Sequence, residues 1–347
     1  MSEARREIEW PTLAVLAGTY AVWALGTSLA YAALPPLGFL VTTLAITQFS
    51  SLQHEALHGH PFRWRRLNEA LVFPALTVFV PYGRFRDTHL AHHRDERLTD
   101  PYDDPEANYL DPAVWARLSR PMRALLRANN TLLGRILLGP AISTWAFGRG
   151  DIRAIRDGDR AVAASWAAHA AGLVPVGLWL WAMPGIGVVG YLGAAYLAYG
   201  LLKIRTFLEH RAHEKVRGRT VIVEDRGPLA FLFLNNSLHA VHHAKPGLAW
   251  YRLPALYRER QEEWRRRNEA YLYRSYGEIF ARFLLSAKDP VPHPLWPDAM
   301  DRAPEPEESP AIGPALAAAF APEPAAIPAP ISAPDPAPDT RPAPAGA

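Results

Sequence analysis

The chain has 347 residues and no cysteine, which excludes disulfides, thiolate metal sites, iron–sulfur clusters and cysteine nucleophiles. Its formal net charge of +3 averages unlike regions: residues 302–347 carry two basic and six acidic residues, leaving 35 basic against 28 acidic over 1–301. The mean hydropathy of -0.08 hides very apolar blocks in the same way.

Residues 1–9 form a short N-terminal segment with Arg5 and Arg6. From Glu9 to Glu55 there is no Asp, Glu, Lys or Arg between the two glutamates, and the same holds between Arg160 and Lys203. Each block exceeds forty residues, whereas a spanning helix needs about 20 apolar ones. Pro35-Pro36 and Pro184-Gly185 are turn signals near the two midpoints. The pattern therefore predicts two transmembrane hairpins, 11–34 with 37–54 and 161–183 with 186–202. Basic residues such as Arg63, Arg65, Arg66, Arg153, Arg156, Arg160, Lys203 and Arg205 flank the outer ends, and the inner turns have none. By the positive-inside rule both termini and the long loops are cytoplasmic. The first block is too long for the apolar region of a signal peptide.

Three further apolar stretches, 70–82, 132–147 and 228–238, are short or broken by Pro74, Pro140 or Arg135. They are expected at the interface or in a cytoplasmic cap. The main domain is thus expected over 10–300. Residues 301–347 are a Pro- and Ala-rich tail with no means of burying a core, expected to be disordered.

The histidines carry the chemistry. His54 and His58 form H-x-x-x-H. His89, His92 and His93 form H-x-x-H-H, and His239, His242 and His243 repeat it. Residues three and four apart share a helix face, so each set points one way. His210 stands two turns beyond the last span. All four groups are predicted on one side of the bilayer. Imidazole suits Fe, Zn, Cu and Ni, and eight or nine donors exceed the four of one tetrahedral zinc. They suit two metal ions with open positions.

The boxes His54-Glu55-Ala56-Leu57-His58, His89-Leu90-Ala91-His92-His93 and His239-Ala240-Val241-His242-His243 resemble those of membrane fatty acid desaturases. Asp100-Pro101, Asn235-Asn236-Ser237 and the two intervening hairpins also match, over roughly residues 10–275. The resemblance implies an all-α integral membrane protein with four transmembrane helices and a cytoplasmic helical cap. It implies two iron ions held by His54, His58, His89, His92, His93, His210, His239, His242 and His243, with O2 as co-substrate. Some relatives carry an Asn four residues before the His210 position, where this chain has Thr206; Asn235 or Asn236 is the candidate substitute. His60, His213 and Glu55 are further candidates to support the ligands by hydrogen bonding, while His169 and His293 read as structural.

His54-Glu55-x-x-His58 also fits the zinc-protease pattern, with Glu55 as general base, but that leaves both H-x-x-H-H boxes without a role. Gly185-x-Gly187-x-x-Gly190 falls on a predicted membrane turn with no preceding strand, so it reads as helix packing and not as nucleotide binding. The basic runs 63–66 and 215–219 suit lipid headgroups, with no nucleic acid implied. The expected reaction is O2-dependent attack on an unactivated methylene, which no general base achieves. Desaturation of a fatty acyl chain of a membrane lipid is the first reading; hydroxylation or ketolation of a carotenoid or other long hydrocarbon is the alternative within the superfamily. The chain has no haem or flavin motif, so an external donor, a ferredoxin or cytochrome b5-type carrier, is implied. The Arg- and Ala-rich composition suggests a bacterial inner membrane.

Overall fold

The computed structural model describes residues 8–93 and 97–296. The proline-rich tail beyond 296 lies outside the described residues, as do the first seven residues. The first charge-free block folds as two helices, α1 (Trp10–Ala33) and α2 (Pro35–Leu57), joined through an extended Leu34. Both prolines lie in the first turn of α2, where a missing N–H costs nothing. Helix α3 (Tyr82–His92) carries the second histidine box, and α4 (Gly139–Arg156) follows two short helices and the Leu132–Leu137 helix. The second block folds as α5 (Arg160–Ala182) and α6 (Gly187–Thr206). The Asp159 side chain caps α5 by accepting from Ala161 N–H and Val162 N–H.

Among the described residues three helices, α1, α5 and α6, are long and apolar enough to cross a membrane. Their exposure is inverted relative to a water-soluble protein. On α1 the buried residues are Thr12, Leu16, Thr19 and Trp23, whereas Val22, Leu25 and Leu29 are exposed. On α5 Val174, Leu178 and Trp181 are exposed, and on α6 Val188 and Val189. Apolar side chains facing outward from a stripe of small and hydroxyl residues suit lipid as solvent.

The fourth expected span differs. Helix α2 has the length, but it is not among these three. Its second half carries Thr42, Thr43, Thr47, Gln48, Ser51 and Gln53, and all are buried. It packs between α1 and α6 and also meets the 228–232 helix, where Ser51 Oγ donates to Leu232 O (2.9 Å) and Gln48 Nε2 to Phe231 O (3.3 Å). A helix enclosed by protein can afford polar side chains that one facing lipid cannot.

The segment 72–81 runs without regular structure beside the middle of α5. Neighbouring helices meet three of its backbone groups: Ala75 N–H donates to Gly172 O (3.0 Å), His169 Nε2 to Val78 O (2.7 Å) and the Tyr191 hydroxyl to Leu76 O (2.9 Å). Irregular backbone survives there because protein supplies these partners. Gly172 makes the approach possible, since a Cβ there would stand 2.5 Å from Phe73 O. His169 is thus structural, as expected.

A π-helical stretch at Gly26–Ala30 interrupts α1. The carbonyl of Thr27 accepts Ile186 N–H (3.0 Å) from the α5–α6 turn. A Cβ on Gly185 would lie 2.0 Å from that carbonyl, so this glycine serves close packing.

After α6 the chain forms a cap. A two-residue parallel pair, β1 (Ile222–Val223) with β2 (Leu272–Tyr273), is the small exception to an all-helical reading. Beside β1 lies α7 (His239–Ala244), the third histidine box. Phe207, Leu208, Val221, Phe233, Tyr271 and Ile279 form the core under this cap. His293 is buried beside Thr99, with its ring against Tyr109 (5.0 Å), which fits the structural role expected of it.

Candidate metal centre

The end of α2 presents His54 and His58 one turn apart, α3 presents His89, His92 and His93, and α7 presents His239, His242 and His243. His210 follows α6 and is fixed by backbone pairing with Thr220. All nine come together in two groups. His54, His58, His89, His93 and His242 form one; His92, His210, His239 and His243 form the other. Within each group one nitrogen per residue lies within 4.8 Å of all the rest.

Each H-x-x-H-H box is divided between the groups. The i, i+4 pair His89/His93 goes to the first and His92 to the second; in the other box His239/His243 goes to the second and His242 to the first. An i, i+4 pair stacks on one face, and the remaining histidine points to an adjacent face. Each helix therefore serves both groups from between them.

The facing nitrogens have ligand-like separations. His89 and His93 Nε2 are 3.0 Å apart, His93 and His242 Nε2 3.2 Å, His92 and His210 Nε2 2.8 Å, and His210 and His239 Nε2 3.2 Å. Donors about 2.1 Å from one ion stand about 3.0 Å apart at neighbouring octahedral corners and about 3.4 Å apart in a tetrahedron. The Nε2 atoms of His54 and His58 are buried and have no hydrogen-bond partner within the protein. A buried polar atom left this way carries a desolvation cost unless something binds it. The donor set fits two transition-metal ions held mainly by imidazole.

Electrostatics agree. Burial, then neighbouring imidazoles, holds His210, His239 and His242 well below the ordinary histidine range, and His93 likewise; His58 falls to about 2. These rings are neutral and keep a lone pair for a metal. His92 is the exception. Burial lowers it, but the Asp104 and Glu106 carboxylates outweigh burial and raise it to about 9.

The outward nitrogens are held as metal-bound histidines require. His92 Nδ1 lies 2.7 Å from Asp104 Oδ1, His89 Nδ1 2.9 Å from Glu106 Oε1, His239 Nδ1 3.0 Å from Asn236 Oδ1 and His210 Nδ1 3.4 Å from Thr220 Oγ1. Sequence reasoning missed Asp104, Glu106 and Thr220. The acidic run Asp103-Asp104-Pro105-Glu106, close behind the second box, was the available signal.

Of the supporting residues expected from sequence, Asn236 alone hydrogen-bonds a grouped histidine among the described residues. Asn235 donates to Trp250 O (3.2 Å). Glu55 accepts Trp250 N–H (3.2 Å) and stands 3.8 Å from His54 Nδ1. His60 pairs with Glu9 (2.8 Å), and His213 with the backbone of Lys215 (3.1 Å). These two are brought to neither group. His54 and His58 share their group with three histidines from the other boxes, which a stand-alone H-E-x-x-H zinc motif does not require.

A cavity of about 200 Å3 opens against this centre. Ile46, Phe79, Phe85, Ala146, Ala195 and Ala198 line its apolar part, and Glu106, Glu209, Thr206 and His210 line the part beside the histidines.

No curated protein matches the chain. A family model described as fatty acid desaturase matches residues 29–275, which contain all three boxes and His210. With its apolar helices and paired histidine groups, the chain belongs to the fatty acid desaturase family.

Proposed function

We propose that this protein is an O2-dependent di-iron desaturase that introduces a double bond into a fatty acyl chain of a membrane lipid. The observation that carries this reading is the apolar cavity ending on His210 beside two groups of buried and half-buried imidazoles. Four helices, α1, α2, α5 and α6, cross the bilayer in two hairpins, with the histidines, the cap and both termini on the cytoplasmic face of a bacterial inner membrane. The distribution of basic residues supports that orientation.

Two irons, when bound by the nine histidines, supply O2 activation and hydrogen removal from an unactivated methylene. The chain supplies the rest. Ile46, Phe79, Ala195 and Ala198 hold the acyl chain extended against α2 and α6 and exclude water. The carboxylates of Asp104 and Glu106 fix the His92 and His89 rings. Overall, the acyl chain loses two hydrogen atoms, and O2 with two electrons and two protons becomes two waters. The electrons come from a ferredoxin or cytochrome b5-type carrier, which the exposed arginines of the cap, Arg258, Arg260 and Arg267 among them, would attract if acidic.

The test is a mass-spectrometric lipid profile of a bacterial host expressing the chain, beside the His242→Ala variant. Loss of two hydrogens from an acyl species, only with the intact chain, is expected. Gain of oxygen would move the assignment to hydroxylation or ketolation, and zinc without iron in the purified protein would overturn the di-iron reading.

A further inference from the structure

Glu106 faces both histidine groups. Its Oε1 lies 2.9 Å from His89 Nδ1, in the five-histidine group. Its Oε2 lies 4.0 Å from His92 Nε2, in the four-histidine group. That nitrogen is the one His92 turns toward its group, because Asp104 occupies Nδ1. Opposite donors on one octahedral ion stand about 4.2 Å apart, a separation close to that of Oε2 and His92 Nε2; Glu106 is not among the donors that lie within 4.8 Å of one another in that group, so ligation requires its side chain to close further on it. Glu106 also lines the cavity together with His210.

The two groups are unequal, five donors against four. Neither group contains an anionic donor: a metal-bound imidazole is neutral and does not balance a buried divalent ion, and buried charge without compensation is costly. The other nearby carboxylates are engaged. Asp104 also accepts Thr99 N–H (2.8 Å), and Glu209 stands 2.9 Å from Arg205.

We propose that Glu106 is a metal ligand of the four-histidine group, its second oxygen closing on that ion while its first holds His89 of the neighbouring group. The inference rests on the two-metal reading above. It gives the centre a mixed nitrogen and carboxylate character on the cavity side and ties occupation of one group to the ligand geometry of the other.

The test uses the purified full chain in detergent, titrated with Co(II), with bound metal and visible absorption both measured. Glu106→Gln keeps the shape and can still accept from His89, but loses the charge. A His58→Ala/His93→Ala background removes two donors from the five-histidine group, so the remaining Co(II) reports on the other. In that background Glu106→Gln is expected to weaken Co(II) binding by about tenfold or more. The visible bands should also intensify as the coordination number falls. An orienting role confined to His89 would leave affinity and spectrum in that background unchanged, and that result overturns the proposal. Two bound Co(II) in the unmodified chain with a silent Glu106→Gln sinks this inference alone; no Co(II) bound by the unmodified chain sinks the two-metal reading with it.

Discussion

Asp104 and His92 form a buried pair in which Oδ1 lies 2.7 Å from Nδ1, with both side chains about 2% exposed or less. Asp104 is itself held, because its Oδ2 accepts Thr99 N–H and its Oδ1 accepts Glu106 N–H. The loop after the second box thus locks the one histidine of that box that serves the four-histidine group. Asp104→Ala should lower metal affinity by roughly 10–100-fold. Metal content after dialysis against a graded chelator checks this, and full retention would refute it.

The same pair sets a pH dependence. His92 is raised to about 9, so near neutral pH it carries a proton that an incoming metal must displace. Metal affinity should therefore climb from pH 7 towards 9 and level off above, as proton competition disappears. In Asp104→Asn the carboxylate that raises His92 is gone, and the climb should end at lower pH. A metal titration at several pH values in both proteins reads this directly.

Arg84 on α3 makes a two-pronged contact with Asp151 on α4 (2.9 and 3.1 Å), and Trp166 Nε1 on α5 donates to the same carboxylate (2.8 Å). This pairing anchors the helix of the second histidine box. Removing one member of a buried pair strands the other. Asp151→Ala should cost about 3–5 kcal/mol, whereas Arg84→Met with Asp151→Leu should cost less. Thermal unfolding in detergent distinguishes them; equal losses would contradict the pairing argument.

Two glycines of α5 offer an internal control. A Cβ on Gly172 would press on Phe73 O at 2.5 Å, whereas one on Gly177 meets nothing within 4 Å. Gly172→Ala should destabilise by about 1–3 kcal/mol through overpacking and disturb the segment that brings Thr77 and Phe79 to the cavity. Gly177→Ala should be neutral or slightly stabilising. Melting temperatures of the two variants, measured side by side, decide the point.

Ala146 is buried and lines the cavity wall. Ala146→Phe should shorten the acyl chain that fits, shifting products toward shorter species while metal content stays unchanged. Lipid profiles with parallel iron assays test both halves, and an unchanged chain-length distribution would exclude this cavity as the acyl site.

The sequence by itself determined what depends on local pattern. Charge-free blocks longer than forty residues mark α1, α2, α5 and α6 to within a few residues, because a charge is costly both on a helix long and apolar enough to cross a membrane and on one enclosed by protein. The repeated H-x-x-H-H spacing marked six of the nine clustered histidines and the H-x-x-x-H pair two more, since such close spacing on a helix keeps the rings on the same or adjacent faces; His210 came from the resemblance and its place after the last span. Three features waited on the tertiary structure. Which histidine joins which group depends on how α3 and α7 stand against each other, and spacing within one helix carries no such information. That the second half of α2 is enclosed, with Gln48 and Ser51 turned to carbonyls of the 228–232 helix, depends on α1, α6 and that helix packing around it. Asp104 and Glu106 look like an ordinary acidic turn until the fold carries them behind His92 and His89. Packing between distant segments decided these, because a buried imidazole must find a partner for its second nitrogen wherever the chain can supply one.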